Sequence, residues 1–134
     1  MSKEIINPSG LAPPRGFNHG VLTSSDDILF LAGQDGADAD ETIVAPDDLV
    51  RQFEQVLENL RTVVREAGGT MDDIVKLNVF VADRDDYVEN LDPLGEVFSS
   101  YFDEYPTMAL FEVSAFFKED ALVEMEGFAA IDAE

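Results

Sequence analysis

The clearest periodic stretch runs over residues 47–67, where Leu49, Phe53, Val56, Leu57, Leu60, Val63, Val64 and Ala67 recur at three- and four-residue steps. That spacing predicts an amphipathic helix. Asp47 or Asp48 can cap its start, Gly68-Gly69 stops it, and Arg61 and Arg65 sit toward the end where cations are favoured. Residues 74–82 change period: Val75, Leu77, Val79 and Val81 alternate with Lys76, Asn78 and Phe80, as in a half-buried strand. Asp92-Pro93 then has the cap-and-proline signature of a second helix over 94–102, with Leu94, Val97, Phe98, Tyr101 and Phe102 as its buried stripe.

Shorter patterns flank this centre. Residues 7–16 hold three Pro and two Gly and read as an extended entry loop. Strands are predicted over 17–23 and 28–33, with a hairpin turn through Ser24-Ser25-Asp26-Asp27, and a short one over 42–44. Residues 83–86 read as a turn. Residues 107–116 and 121–131 read as two strands joined across the turn 117–120. In the last strand Glu124 and Glu126 share one face, and Val123, Met125 and Ala129 the other. Strands at both ends with two helices between them predict an α+β fold, the helices on one face of a mostly antiparallel sheet. The other face is rich in Leu, Phe and Val and needs a cover, which self-association would supply.

Composition adds boundaries. At 134 residues the chain suits a single domain spanning 1–134, and its 46% hydrophobic content separates it from a disordered acidic segment. No apolar run is long enough to span a membrane and the start lacks a secretory layout, so a cytoplasmic protein is expected. The absence of Cys excludes disulfides and thiolate chemistry, and a lone His19 excludes sites built on several His. With 29 Asp+Glu against 8 Lys+Arg the net charge is −21, which disfavours nucleic acid and anionic membrane surfaces as partners. The acids are spread along the chain without the spacing of a calcium loop, as on a solvated surface adapted to high salt. No phosphate loop or nucleophile elbow occurs.

Four segments, Pro14-Arg-Gly-Phe-Asn-His-Gly20, Leu29-Phe-Leu-Ala-Gly-Gln34, Asp73-Ile-Val-Lys-Leu-Asn-Val-Phe-Val81 and Tyr105-Pro-Thr-Met-Ala-Leu-Phe-Glu-Val113, are followed by the ending Leu122-Val-Glu-Met-Glu-Gly-Phe-Ala-Ala-Ile131. In this order they resemble the Rid family of reactive-intermediate deaminases, also called YjgF, whose members also carry an endoribonuclease L-PSP label. The resemblance implies a chorismate-mutase-like fold, a homotrimer with clefts between subunits, and hydrolysis of enamines or imines to 2-oxo acids and ammonia without a cofactor or metal. In its best-known branch an Arg clamps the substrate carboxylate, a Glu on the last strand directs water, and a Tyr and a Ser line the pocket.

This chain departs from that pattern. Met108 stands at the clamp position, Phe17 at the Tyr and Ala32 at the Ser, while Glu124 keeps the Glu. A thioether cannot reproduce a bidentate Arg–carboxylate pair. Two readings follow: a hydrolase or deaminase of imine-like metabolites other than 2-imino acids, with Glu124 catalytic, or a small-ligand-binding or scaffold trimer that has lost the chemistry. Phe17, Ala32, Gly33, Met108 and Leu110 are the candidate lining, and Glu112 joins them because it shares a strand face with Met108. Met108 and Phe17 serve equally well as core. His19 fits a structural hydrogen-bonder better than a base. Arg15 is the one cation near the N-terminal segment, a substitute clamp or a salt-bridged surface group. A Glu124 lined by Phe17, Ala32 and Met108 should have a raised pKa.

Overall fold

The computed structural model describes residues 2–132. Six strands and three helices follow in the order β1 (Ser2–Ile6), β2 (Gly20–Ser24), β3 (Asp27–Asp35), α1 (Leu49–Glu66), β4 (Ile74–Val81), α2 (Arg84–Glu89), α3 (Leu91–Tyr101), β5 (Thr107–Glu112) and β6 (Val123–Ile131). A single 3-10 turn, Met71–Asp73, leads into β4. The α+β class expected from the pattern is the one found.

The long helix forms where the periodicity places it. The Asp48 carboxylate accepts from the Arg51 amide at 3.1 Å and caps the start. At the other end Gly68 takes φ +90, a left-handed conformation that costs glycine least, and Gly69 donates to the Val64 carbonyl at 2.9 Å. Phe53, Val56, Leu57, Leu60 and Val64 are buried against the sheet, whereas Val63 lies at the solvent edge of the stripe.

Strand pairing differs from the expected hairpins. The segment 17–23 forms a strand only from Gly20, and it pairs antiparallel with β1, not with β3. β3 pairs instead with β6, giving a four-stranded sheet of order β3-β6-β4-β5. β4–β6 and β3–β6 are antiparallel, while β4–β5 is parallel. The parallel pair follows from the crossover through α2 and α3, which returns the chain to the same end of the sheet. β5 stops at Glu112, and residues 113–122 carry the chain round to β6 between β3 and β4. The four-residue turn read at 117–120 is therefore part of a longer connection. The strand expected at 42–44 reduces to a bridge between Ala37 and Ile43. The turn expected at 83–86 is the start of α2, with the Asp83 carboxylate accepting from the Asp85 and Asp86 amides. α3 begins at Leu91, three residues before the expected start.

The sheet has unlike faces. Toward the helices, Ile74, Leu77, Val79, Val81, Val123, Met125 and Ala129 are fully buried. On the opposite face Ile28 is 65% and Phe30 73% exposed. Phe30 meets Phe128 edge-on at 5.3 Å, and Phe80 stacks on Phe111 at 5.7 Å.

One buried polar group escaped the sequence reading. Gln52, fully buried on α1, donates to the carbonyls of Ala45, Pro46 and Asp120 and accepts from the Leu122 amide at 2.8 Å. With its amide satisfied, it ties the loop before α1 to the connection before β6. A glutamine within an apolar period carries no mark of this in sequence.

Candidate functional site

Two groups of candidate residues assemble, one on each side of the sheet. The first lines a cavity of about 480 Å³ between β5 and the helices. Met108 and Leu110 project into it from β5, next to Phe53, Tyr87, Leu94 and Phe98. Arg15 and Phe17 close it from the N-terminal loop.

Asn18 explains how a loop with three prolines holds that position. Its side chain is buried and donates to the Tyr105 carbonyl at 2.7 Å and to Glu104 Oε2 at 3.1 Å. Its amide donates to the Pro106 carbonyl at 3.0 Å, and its own Oδ1 accepts from Asn7. Three of these bonds pin the residue after Phe17 onto the entry to β5, two positions before Met108, and the fourth ties it to Asn7. The sequence shows Asn18 only as part of a motif.

Arg15 is exposed and, among the described residues, makes no ion pair, although the chain carries 29 acids. The salt-bridged alternative is not what the loop forms. His19 Nε2 lies 2.7 Å from the Ala12 carbonyl, and its ring meets Phe17 edge-on at 5.3 Å, so it braces the loop and does not line the cavity. Glu112 does share the side of Met108, but its Oε1 accepts from the Arg84 amide at 2.8 Å, at the start of α2 and outside the cavity lining.

The second group forms on the outward face. Between Leu31 and Gln34 the β3–β6 register shifts, so Ala32 and Gly33 together oppose Glu126. This bulge brings Gly33 under the Glu124 side chain. A Cβ on Gly33 would fall on Glu124 Oε2 and lie 3.1 Å from its Cδ, so only glycine lets the carboxylate rest there. Asp35 is the register partner of Glu124, and Lys118 Nζ lies 3.3 Å from Asp35 Oδ2. Burial raises the Glu124 pKa above the ordinary carboxylate value, and the neighbouring Asp35 and Glu126 charges add to it, against a smaller lowering by Lys118.

The direction is the expected one, but the surroundings need correction. Strand parity puts Met108 beside Leu77 and Gly127 in an inward row, while Glu124 pairs with Phe80 and Phe80 with Phe111 in an outward row. Within one protomer Phe17 and Met108 therefore do not line Glu124. Gly33 does accompany it, Ala32 lies beside Gly33 in the bulge opposite Glu126, and Asp35 is the neighbour that sequence reading missed. Asp35 follows Gln34 directly in sequence, but the bulge that sets it opposite Glu124 is invisible without pairing. Among the described residues no cluster of three or more His, Asp or Glu could hold a metal ion. No helix among them is long and apolar enough to cross a membrane.

Known proteins place this fold and these segments together. Residues 9–131 match the family described as Endoribonuclease L-PSP. A RutC family protein of Pyrococcus abyssi is 32% identical over 131 residues, covering 96% of this chain and 98% of its own. The 3-aminoacrylate deaminase RutC of Acinetobacter baylyi is 30% identical over 132 residues, covering 98% and 100%. The crystal structure of the Rid family protein YyfB of Yersinia pestis superposes with a TM-score of 0.88 at 32% identity, covering 98% of this chain and all of that one. The chain belongs to the Endoribonuclease L-PSP family, the group that contains the RutC and Rid proteins.

Proposed function

We propose that this protein is a cofactor-independent hydrolase of imine- or enamine-like metabolites, working as a homotrimer in which Glu124 of one subunit faces the Met108 cavity of the next. The observation that carries this reading is the Glu124 carboxylate. It is half-buried, rests on a glycine, receives no hydrogen bond from any described residue, and is biased toward its neutral form. A structural carboxylate is normally paired or solvated; one held this way, with its pKa raised, is a stronger base than an ordinary Glu.

The chemistry needs little else. Water adds to the carbon of C=N as Glu124 takes one of its protons, and the proton passes to nitrogen. The hydroxyl proton of the resulting carbinolamine then passes to nitrogen as the C–N bond breaks, releasing ammonia and leaving C=O. That the related Acinetobacter baylyi protein is named a 3-aminoacrylate deaminase supports this class of reaction. The exposed apolar face around Phe30 and Phe128 supports assembly, because it is the surface a neighbouring copy would cover. With Met108 at the clamp position, small 2-imino acids such as 2-iminobutyrate are poor substrates.

A second reading, a ligand-binding trimer without chemistry, is favoured by the thioether at that same position. The deciding experiment generates carboxylate-free imines in place from a panel of apolar primary amines with a flavin amine oxidase and follows aldehyde release. The hydrolase reading expects acceleration over the uncatalysed rate for members of the panel, lost in Glu124→Gln. No acceleration for any imine leaves the ligand-binding reading.

A further inference from the structure

The least exposed ion pair among the described residues joins Asp35 to Lys118, whose side chains are 20% and 27% exposed. It stands beside Glu124, because the bulge in β3 makes Asp35 the register partner of that residue. We propose that Asp35 and Lys118 are positioning residues for Glu124: the Asp35 charge, held opposite Glu124, makes that carboxylate a better proton acceptor, and Lys118 limits the effect.

Three observations carry it. Asp35 is tied at several points. Its Oδ1 accepts from the Ala37 amide at 3.2 Å, Lys118 Nζ lies 3.3 Å from its Oδ2, and Asn59 of α1 donates to its backbone carbonyl at 3.1 Å. A carboxylate held at both oxygens does not swing away from the like charge opposite it. Lys118 is placed by its own connection. Its carbonyl accepts from the Ala121 amide at 3.1 Å, and the buried Gln52 holds the Asp120 carbonyl and the Leu122 amide just beyond. Lastly, the charges around Glu124 are few and of mixed sign. Asp35 faces it from β3, Glu126 stands two positions along β6, Lys118 reaches in from the connection, and its partner on β4 is the uncharged Phe80. In the assembly proposed above, the Met108 cavity of the next subunit, with Arg15 in its lining, faces it as well. A like charge at close range favours the protonated form of a carboxyl, and a cation opposes it. Burial does most to raise the proton affinity of Glu124, Asp35 and Glu126 add to it, and Lys118 acts against them. Hydrolysis of C=N needs a group that takes a proton from water, and a carboxylate of raised proton affinity takes it more readily.

The catalytic meaning of this arrangement rests on the hydrolase reading; the coupling among the three side chains does not. It is tested on the full chain labelled with carboxyl-13C glutamate, by following each resonance through a pH titration at one fixed salt concentration. The Glu124 resonance is the one missing in Glu124→Gln. Asp35→Asn keeps an oxygen for the Ala37 amide and removes only the charge, so the Glu124 midpoint should fall. Lys118→Gln, which leaves the strands untouched, should raise it, and Lys118→Arg should return it to the wild-type value. Glu126 and Arg15 are the same in all of these proteins, so their influence cancels in the comparison. A purely structural ion pair would give the same midpoint in every folded variant. A Glu124 midpoint that ignores Lys118→Gln, or that rises in Asp35→Asn, overturns the proposal. The acid limb of the imine-hydrolysis rate should move with the midpoint, to lower pH in Asp35→Asn and to higher pH in Lys118→Gln. Midpoints that shift as expected in a protein that accelerates hydrolysis of no imine would fault the hydrolase reading alone. Hydrolysis that is lost in Glu124→Gln, with a midpoint indifferent to Asp35→Asn and Lys118→Gln, would fault the positioning roles alone.

Discussion

The two faces of the four-stranded sheet are built from the same strands by the same alternation, yet only one is finished by this chain. Toward α1 and α3, Leu77, Val79 and Met125 lose all contact with water. On the outward side the alternate positions are less enclosed: Phe30 is 73% exposed, Glu126 is exposed, and Glu124, half-buried, has Phe80 as its register partner on β4. The inward face is explained by folding alone. The outward face has a cost in exposed apolar surface that folding does not repay, so its composition reflects an encounter with something else. Candidate chemistry divides the same way, with a carboxylate outside and an apolar cavity with one cation inside.

The largest test of this contrast is to damage each face. Leu77→Ala should destabilise the protomer by about 2–5 kcal/mol, the range for truncating a buried Leu, read as a loss in urea midpoint. Phe30→Asp, on the open face, should leave the unfolding midpoint of the isolated protomer nearly unchanged. It should instead convert a trimer to monomers in sedimentation at micromolar concentration. A wild-type monomer, or a trimer indifferent to this charge, would mean the open face is not an assembly surface.

Salt sharpens the comparison at a smaller scale. The Debye length grows from about 3 Å at 1 M to about 30 Å at 0.01 M, so repulsion among the acids strengthens as salt is removed. Melting temperature should fall on dilution of salt, and an equal or higher value in low salt would contradict it. The smallest effect is local. Glu124 has a raised pKa, so the folded state holds its proton more tightly than the unfolded state. Stability from this group is full below the ordinary Glu range and declines as pH rises through the raised value. Glu124→Gln should therefore raise the melting temperature slightly at neutral pH, with the gain vanishing in acid.

How far these faces were legible in sequence depends on the distance over which each signal acts. The 3.6-residue period of α1 and the alternation of β4 are local, and both elements form as read. Glu124 and Val123 were separated to opposite faces by parity alone. Pairing partners were not local: the short turn before Ile28 suggested a hairpin, but β3 joins β6 and β2 joins β1. The parallel placement of β5 follows from a crossover whose first helix, α2, looked like an acidic turn because Asp83 is its cap. The site inherited the same limit. Family resemblance gave Glu124, Phe17 and Met108 as a set; register shows that one protomer holds them on opposite sides. Asp35, Gln52 and Asn18 act through partners far along the chain and had no local mark.

The central claim is that Glu124 and the Met108 cavity work together only across a subunit boundary, and mixing two damaged proteins tests it. Glu124→Gln removes the carboxylate and Gly95→Leu adds a side chain to the lining of the Met108 cavity, so each alone should be inactive toward the imine that the intact protein hydrolyses fastest. Dissociated, mixed in equal amounts and reassembled, they form trimers in which some boundaries pair an intact Glu124 with an intact cavity. Random assembly gives such boundaries at about one in four, so roughly a quarter of the wild-type rate should return. No recovery, in mixtures shown by mass spectrometry to contain both proteins in one trimer, would contradict the shared site.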